Sequence, residues 1–357
     1  MTNRPNPELL PETIPVREAH RFPTDRLADV LAARLGARLG DVRQMRGGQS
    51  NPTFLLVTDR GEYVLRKQPP GQLLPSAHAV DREFRVLSAL AGTDVPVPRP
   101  LLFCDDREII GTPFYVMERL RGRIFWSPAL PEVLREDRRA IFMAMNDALA
   151  RLHLVDWKAV GLAGFGKPGN YFARQIARWT RQWQQSKTRE NPSIDRLAEW
   201  LPERIPPGDE TTICHGDFRL DNMVFHPTEP RVTGILDWEL STLGHPLADL
   251  AYNCICYNTT PEMYKGLLGL DLEALGIPSH DEYVRAYCDR TGRRDGLTPF
   301  HLAFSLFRLA VILEGVLARA RAGNAASSEA EQVGSLGLAL ADRGRELVQQ
   351  QFGHSVS

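Results

Sequence analysis

Residues 213–225 read Ile-Cys-His-Gly-Asp-Phe-Arg-Leu-Asp-Asn-Met-Val-Phe. His215, Asp217, Asp221 and Asn222 crowd between two apolar runs, Ile213 and Cys214 before them, Met223, Val224 and Phe225 after. Polar groups set between segments that read as buried strands cost free energy unless hydrogen bonds, charges or a metal compensate them. The stretch is therefore read as a site.

Its spacing is informative. His215-Gly216-Asp217, four residues and then Asn222 repeats the interval of the kinase catalytic loop, H-R-D-x-x-x-x-N. Asp237 closes the following strand, Val232-Thr-Gly-Ile-Leu-Asp. Phosphoryl transfer uses all three: Asp217 to accept the hydroxyl proton of an acceptor, Asn222 and Asp237 as hard oxygen ligands for Mg²⁺. Taken singly, His and Asp also cap turns, so the front of the chain must supply independent parts.

It does. Thr53-Phe-Leu-Leu-Val-Thr58, the turn Asp59-Arg60-Gly61, and Glu62-Tyr-Val-Leu-Arg66-Lys67 read as a hairpin, and the helix that follows carries Asp81-Arg-Glu83. Strand alternation sends Arg66 and Lys67 to opposite faces. Counting from apolar Val64 selects Arg66 as the phosphate-binding cation, paired with Glu83, and turns Lys67 toward solvent or the other face. The guanidinium fork suits a phosphate and a carboxylate together. For Glu83, a surface salt bridge is the alternative reading.

Elsewhere the period is mostly helical. Residues 1–24 read as a loosely held arm, with Thr24 capping a helix through Leu27, Val30, Leu31 and Leu35. Strands are expected at 101–104, 114–117, 223–225 and 232–236, and helices near 79–91, 132–154, 170–187, 280–291, 297–321 and 326–351. The expected fold class is α+β, two-lobed: a small antiparallel-β N-lobe over 25–120 and a larger, mainly helical C-lobe over 121–357.

On these motifs the chain resembles the aminoglycoside phosphotransferase (APH) family, small-molecule kinases with a protein-kinase-like fold, over roughly residues 25–320. The matching motifs are Gly47-Gly48-Gln-Ser50-Asn51, Tyr63-Val-Leu-Arg66, Asp81-Arg-Glu83, His215-Gly-Asp217 to Asn222, and Ile235-Leu-Asp237-Trp. The stretch from Leu236 to Leu250 is similar to a subgroup also found fused to acyl-CoA dehydrogenases. The resemblance implies ATP and Mg²⁺ as cofactors and a small-molecule hydroxyl as acceptor, a hydroxy acid or hydroxyacyl-CoA. It places Gly48, Ser50 and Asn51 in the loop over the phosphates, and Met117, Glu118 and Leu120 at the hinge that meets adenine. Met117 reads equally as a core methionine. The resemblance further implies that Asp249 bonds the catalytic-loop backbone and that His215 orients the loop. A catalytically silent nucleotide-binding protein, a nucleotide hydrolase and an antibiotic kinase are the alternatives.

For the acceptor, Tyr171, Gln175, Trp179 and Trp183 recur at helical spacing beside Arg174 and Arg178. Two readings stand: a basic, aromatic face for an anionic acceptor, or an aromatic core with solvated arginines. A polycationic antibiotic would call for concentrated carboxylates. Asp281, Glu282, Asp289 and Glu314 are instead mixed with arginines.

Composition bounds the rest. The 357 residues carry 43 basic against 44 acidic side chains, net −1, which argues against a general nucleic-acid partner. No run of about 18 apolar residues is legible that would imply a membrane partner. Five cysteines without a CxxC pair, and an N-terminus without an apolar stretch, predict core thiols and a cytoplasmic protein.

Overall fold

The structure, a computed structural model, describes residues 13–45, 51–69, 79–321 and 330–349. The chain divides into two compact units. One comprises Met1–Ile124, Lys158–Leu162 and Asp221–Ser241, the other Phe125–Trp157, Ala163–Leu220 and Thr242–Ser357.

The first unit is built on β1 (Thr13–Ile14), β2 (Leu39–Met45), β3 (Thr53–Thr58), β4 (Gly61–Lys67), β5 (Pro100–Cys104) and β6 (Phe114–Glu118). They form one antiparallel sheet in the order β1-β2-β3-β4-β6-β5. The β3–β4 hairpin follows from its sequence, with Thr58 opposite Gly61 and Gly61 at φ 121°, a region that only a residue without Cβ enters freely. Helix α1 (Asp25–Leu35) buries Leu27 and Leu31 against Phe54, Leu56, Leu65 and Val116 of the sheet. Thr24 precedes it, but its side chain makes no capping bond; its carbonyl accepts from Ala28 N–H at 2.8 Å instead. Nor is the whole N-terminal arm loose: Thr13 and Ile14 pair with Met45 and Gln44. Helices α2 (Val80–Leu90) and α3 (Arg107–Ile110) complete this part of the unit.

Residues 221–241, expected within the helical C-lobe, cluster with this first unit. After β7 (Thr212–Cys214), which belongs to the second unit, they form a hairpin of β8 (Met223–Phe225) and β9 (Val232–Ile235). Arg123 and Phe225 exchange backbone hydrogen bonds at 2.8 Å in each direction. The approach is so close that a Cβ on Gly122 would lie 2.0 Å from the Phe225 carbonyl oxygen. Glycine is needed there for contact with a strand a hundred residues away.

The second unit is helical: α4 (Arg135–Leu154), α5 (Tyr171–Ser186), α6 (Pro192–Trp200), α7 (Pro246–Asn253), the single turns α8 (Ile255–Asn258), α9 (Pro261–Tyr264) and α10 (Leu272–Leu275), then α11 (His280–Thr291), α12 (Pro299–Arg321), α13 (Ala330–Ser335) and α14 (Gly337–Gln349). Strand β7 pairs antiparallel with β10 (Thr242–Gly244). The single helix expected over 326–351 is broken at Leu336 into α13 and α14. Helices α6 and α7 escaped the periodicity reading, yet local chemistry starts both: Asn191 accepts from Ile194 N–H, and His245 from Leu247 N–H ahead of Pro246. Helix α12 is long and apolar enough to cross a membrane, which the sequence reading did not register. Its 18-residue apolar window is 89% buried within the protein, packed with Trp183, Leu197 and Leu340 around Phe304 and Phe307.

At the start of α12, His301 is buried against Phe172, and its Nδ1 accepts from Thr298 N–H at 3.0 Å. Burial, helped by His245 nearby, pushes its pKa from 6.5 down to about 4. The unfolded chain therefore binds this proton near pH 6.5 and the folded one only near 4, so stability drains as pH falls between those values. Thermal unfolding should show Tm dropping across that window, with a shallower slope for His301→Gln; an unchanged slope would clear His301 of the effect.

Candidate active site

The loop that follows β7 is held in the second unit by one buried carboxylate. Asp249 of α7 accepts from His215 N–H at 2.5 Å and Gly216 N–H at 2.9 Å. His153 Nε2 stands 3.5 Å from the same group, and its Nδ1 meets the Tyr287 hydroxyl at 2.6 Å. Burial alone would raise the Asp249 pKa, but His153, His215 and the Gly216 N–H outweigh it and hold the carboxyl below its usual range. Gly216 takes φ 85°, and Asp217 N–H then donates to His215 Nδ1 at 3.2 Å. His215 is fully buried. Its contacts are those of a loop brace, as is Asp249's bonding to the loop backbone that the resemblance implied.

His153, Cys214 and Asp249 bring possible metal-ligand atoms within 4.8 Å of one another. Asp249's oxygens are already taken by two backbone N–H groups, and burial pushes the Cys214 thiol well above its usual range. The trio reads as part of the same brace. The Asp217 carboxylate is only partly covered, with Arg219 Nε 3.1 Å from its Oδ1. Arg219 in turn donates to the Tyr264 hydroxyl at 2.8 Å. Sequence reasoning passed over Arg219; the signal was a cation two positions after Asp217 in the opening stretch.

The first unit holds a second cluster, centred on Arg66 of β4. Its Nε lies 2.8 Å from Glu83 Oε2 on α2, and its Nη2 2.6 Å from Asp237 Oδ1 and 3.8 Å from Glu239. Arg66 and Glu83 are buried, so Glu83 is no surface salt bridge. Asn51 Nδ2 and the Tyr115 hydroxyl also donate to Glu83, at 2.7 and 3.0 Å. Burial works against the Arg66 charge, but Glu83 and Asp237 hold its pKa above the ordinary arginine range. Burial pushes the Glu83 carboxyl up while Arg66 draws it back. Asp237 sits just past β9 with φ 63°, a left-handed conformation that a non-glycine residue rarely adopts. Leu236 N–H donates to the Asn222 carbonyl at 2.8 Å, which puts Asn222 and Asp237 at one end of the β8–β9 hairpin.

The other expected site residues have these surroundings. Asn51, expected in the loop over the phosphates, turns its side-chain amide to Glu83; Gly48 and Ser50 lie outside the described residues. Of the two places expected for Lys67, solvent or the other face, it takes the second, buried opposite Arg66 with its Nζ 5.1 Å over the Phe22 ring. Met117 is buried opposite Val64. Glu118, expected at the adenine hinge, spends its N–H on the Arg99 carbonyl at 3.0 Å and its carboxylate on Arg99 N–H at 2.8 Å. Leu120 packs so tightly on Gly234 that a Cβ there would meet its Cδ1 at 2.0 Å.

Residues 41–287 match the model of the phosphotransferase enzyme family known as APH. The chain belongs to that family. It is accordingly a phosphotransferase, with the α+β kinase-like fold expected of one. It is 45% identical over 343 residues to acyl-CoA dehydrogenase family member 10 of Mus musculus, an alignment covering 93% of this chain and 32% of that protein. Acyl-CoA dehydrogenase family member 11 of Homo sapiens is 43% identical over 317 residues, 87% of this chain and 40% of its own length. The chain thus spans about a third to two fifths of these relatives. Among solved structures, a protein of Ralstonia eutropha with a provisional aminoglycoside phosphotransferase name matches at TM-score 0.84 and 46% identity, over 92% of this chain and 99% of that one. A thermostable mutant of aminoglycoside phosphotransferase APH(4)-Ia, in ternary complex with ADP and hygromycin B, shares the fold at TM-score 0.58 and 14% identity, over 89% and 98%.

Removing one partner of a buried ion pair strands the other, so Arg66→Ala should destabilise the protein by about 3–5 kcal/mol, with Arg66→Lys intermediate. Lys67 has no carboxylate partner among the described residues, so Lys67→Met should be neutral or mildly stabilising. Chemical denaturation of the three variants decides this; equal losses at the two positions would refute the assignment of faces.

Proposed function

We propose that this phosphotransferase moves the γ-phosphate of ATP, with Mg²⁺, to a hydroxyl on a small acyl metabolite, a hydroxy acid or hydroxyacyl-CoA. The observation that carries the reading is Arg66 bridging Glu83 and Asp237. A guanidinium held by one carboxylate and aimed at a second is ready for phosphate oxygens. The donor set suits Mg²⁺, since Asp237 and Asn222 share one hairpin end and offer hard oxygens, and Asp237 already has a cation, Arg66, against its carboxylate. When bound there, Mg²⁺ would neutralise charge on the phosphates. In this reading Arg66 grips the α- and β-phosphates, and Asp217 accepts the proton from the acceptor hydroxyl. Arg219 holds the Asp217 carboxylate in place, while His215 and Asp249 fix the backbone that carries it.

Two observations support the acyl acceptor over an antibiotic. The curated relatives carry acyl-CoA dehydrogenase names. And two of the acidic residues that might have met a polycation are otherwise engaged. Glu282 closes the Ser279 capping box, and Arg139 with the Ser279 N–H pulls its pKa down to about 2. Glu314 is buried on Arg189 at 2.6 Å.

Asp217→Asn keeps the shape of the loop but loses the proton acceptor. Turnover should fall roughly 10²–10⁴-fold while ATP still binds; unchanged turnover would refute the base. Mg·ATP should raise Tm by mass action, and Asn222→Ala or Asp237→Ala should shrink that rise. An equal rise with ATP in EDTA would remove the metal from the account.

A further inference from the structure

Arg308 lies midway along α12, the most apolar helix of the second unit, and is only 5% exposed. Its Nη2 donates to the Gly216 carbonyl at 2.5 Å. Gly216 is the residue between His215 and Asp217. The guanidinium also faces two rings, with its carbon 5.1 Å from Tyr252 and 5.7 Å from Trp179. Among the described residues no carboxylate pairs with it, and the Gly216 carbonyl is the one hydrogen-bond acceptor that it meets. Arg178 stands 5.1 Å over the same Trp179 ring, likewise without a carboxylate. The Trp179 Nε1–H is buried and has no partner among the described residues either.

A buried guanidinium without a carboxylate is expensive, and an orphaned indole N–H beside it adds to the cost. One neutral carbonyl and two ring faces do not balance a second cation on the same indole. Such an arrangement persists where a ligand supplies the missing acceptors. Arginine presents several donors in one plane, which matches the two oxygens of a carboxyl group. Through Gly216, this donor set is one residue from the Asp217 backbone.

We infer that Arg308, aided by Trp179, receives the carboxyl-derived oxygen of the acceptor, free as a carboxylate or as the carbonyl of a thioester, and so selects hydroxyacyl compounds over plain alcohols. The inference rests on the phosphotransferase reading for the acceptor's hydroxyl, but the anchor can be detected by binding alone. Arg308 is a specificity residue here, and its bond to Gly216 also positions the loop.

Calorimetry with hydroxybutyrate, hydroxybutyryl-CoA and butanediol as probes separates these roles. Wild type should bind the acid or the thioester and discriminate against the diol. Arg308→Gln should weaken the preferred acyl probe roughly ten- to a hundredfold, and Arg308→Lys should recover part of the loss. Diol binding should not change, so the selectivity ratio should collapse. Which acyl probe responds tells carboxylate from thioester. If wild type binds neither acyl probe, or if Arg308→Gln weakens all three alike or none, the inference is overturned and Arg308 is a brace only. Acyl probes that bind through Arg308 but gain no phosphate from Mg·ATP would leave the anchor standing and sink the phosphotransfer reading for them.

Discussion

The first unit turns on one guanidinium. Arg66 comes from the middle of the sheet, Glu83 from α2, and Asp237 from a hairpin 171 residues further along the chain. Hydrophobic burial brings these elements near each other but does not set their register. Two charge-assisted contacts of 2.6 and 2.8 Å do, because a buried carboxylate or guanidinium left unpaired costs several kcal/mol. Asn51 and Tyr115 spend their donors on the same Glu83. The nucleotide-facing chemistry proposed for this unit and its fold therefore rest on the same contacts.

The second unit uses a comparable device with the opposite sign. There a buried carboxylate, Asp249, takes two backbone N–H groups and fixes the turn at Gly216. Asp217, next in the chain, keeps its own side chain partly open, with Arg219 at hand. Rigid support under a partly exposed carboxylate is what general-base chemistry requires, since the proton acceptor must meet its substrate without first being ordered.

Much of this was legible in the sequence because it depends on local rules. Strand alternation put Arg66 and Lys67 on opposite faces, and the His215–Asp217–Asn222 interval marked the loop. What was missed depends on long-range contact. For Lys67, solvent and the other face both stayed open, because alternation says which face a side chain takes, not what covers that face; Phe22 lies beneath it. Residues 221–241 looked like part of a helical lobe because their neighbours in sequence are helical, whereas their partners are Arg123 and Pro96. The bond from Asn51 to Glu83 was not legible, because glycine-rich neighbours mark a loop and not the partner that its side chain finds. Arg308 gave no signal because a single arginine inside an apolar helix reads as noise until its neighbours in space are known.

Transfer of phosphate to a carbon-bound hydroxyl can be watched by phosphorus NMR of the purified protein with Mg·ATP and hydroxybutyrate or hydroxybutyryl-CoA. The account predicts a phosphomonoester resonance growing in step with ADP. ADP accompanied only by inorganic phosphate, or an unchanged ATP spectrum with every hydroxyacyl compound offered, would contradict it.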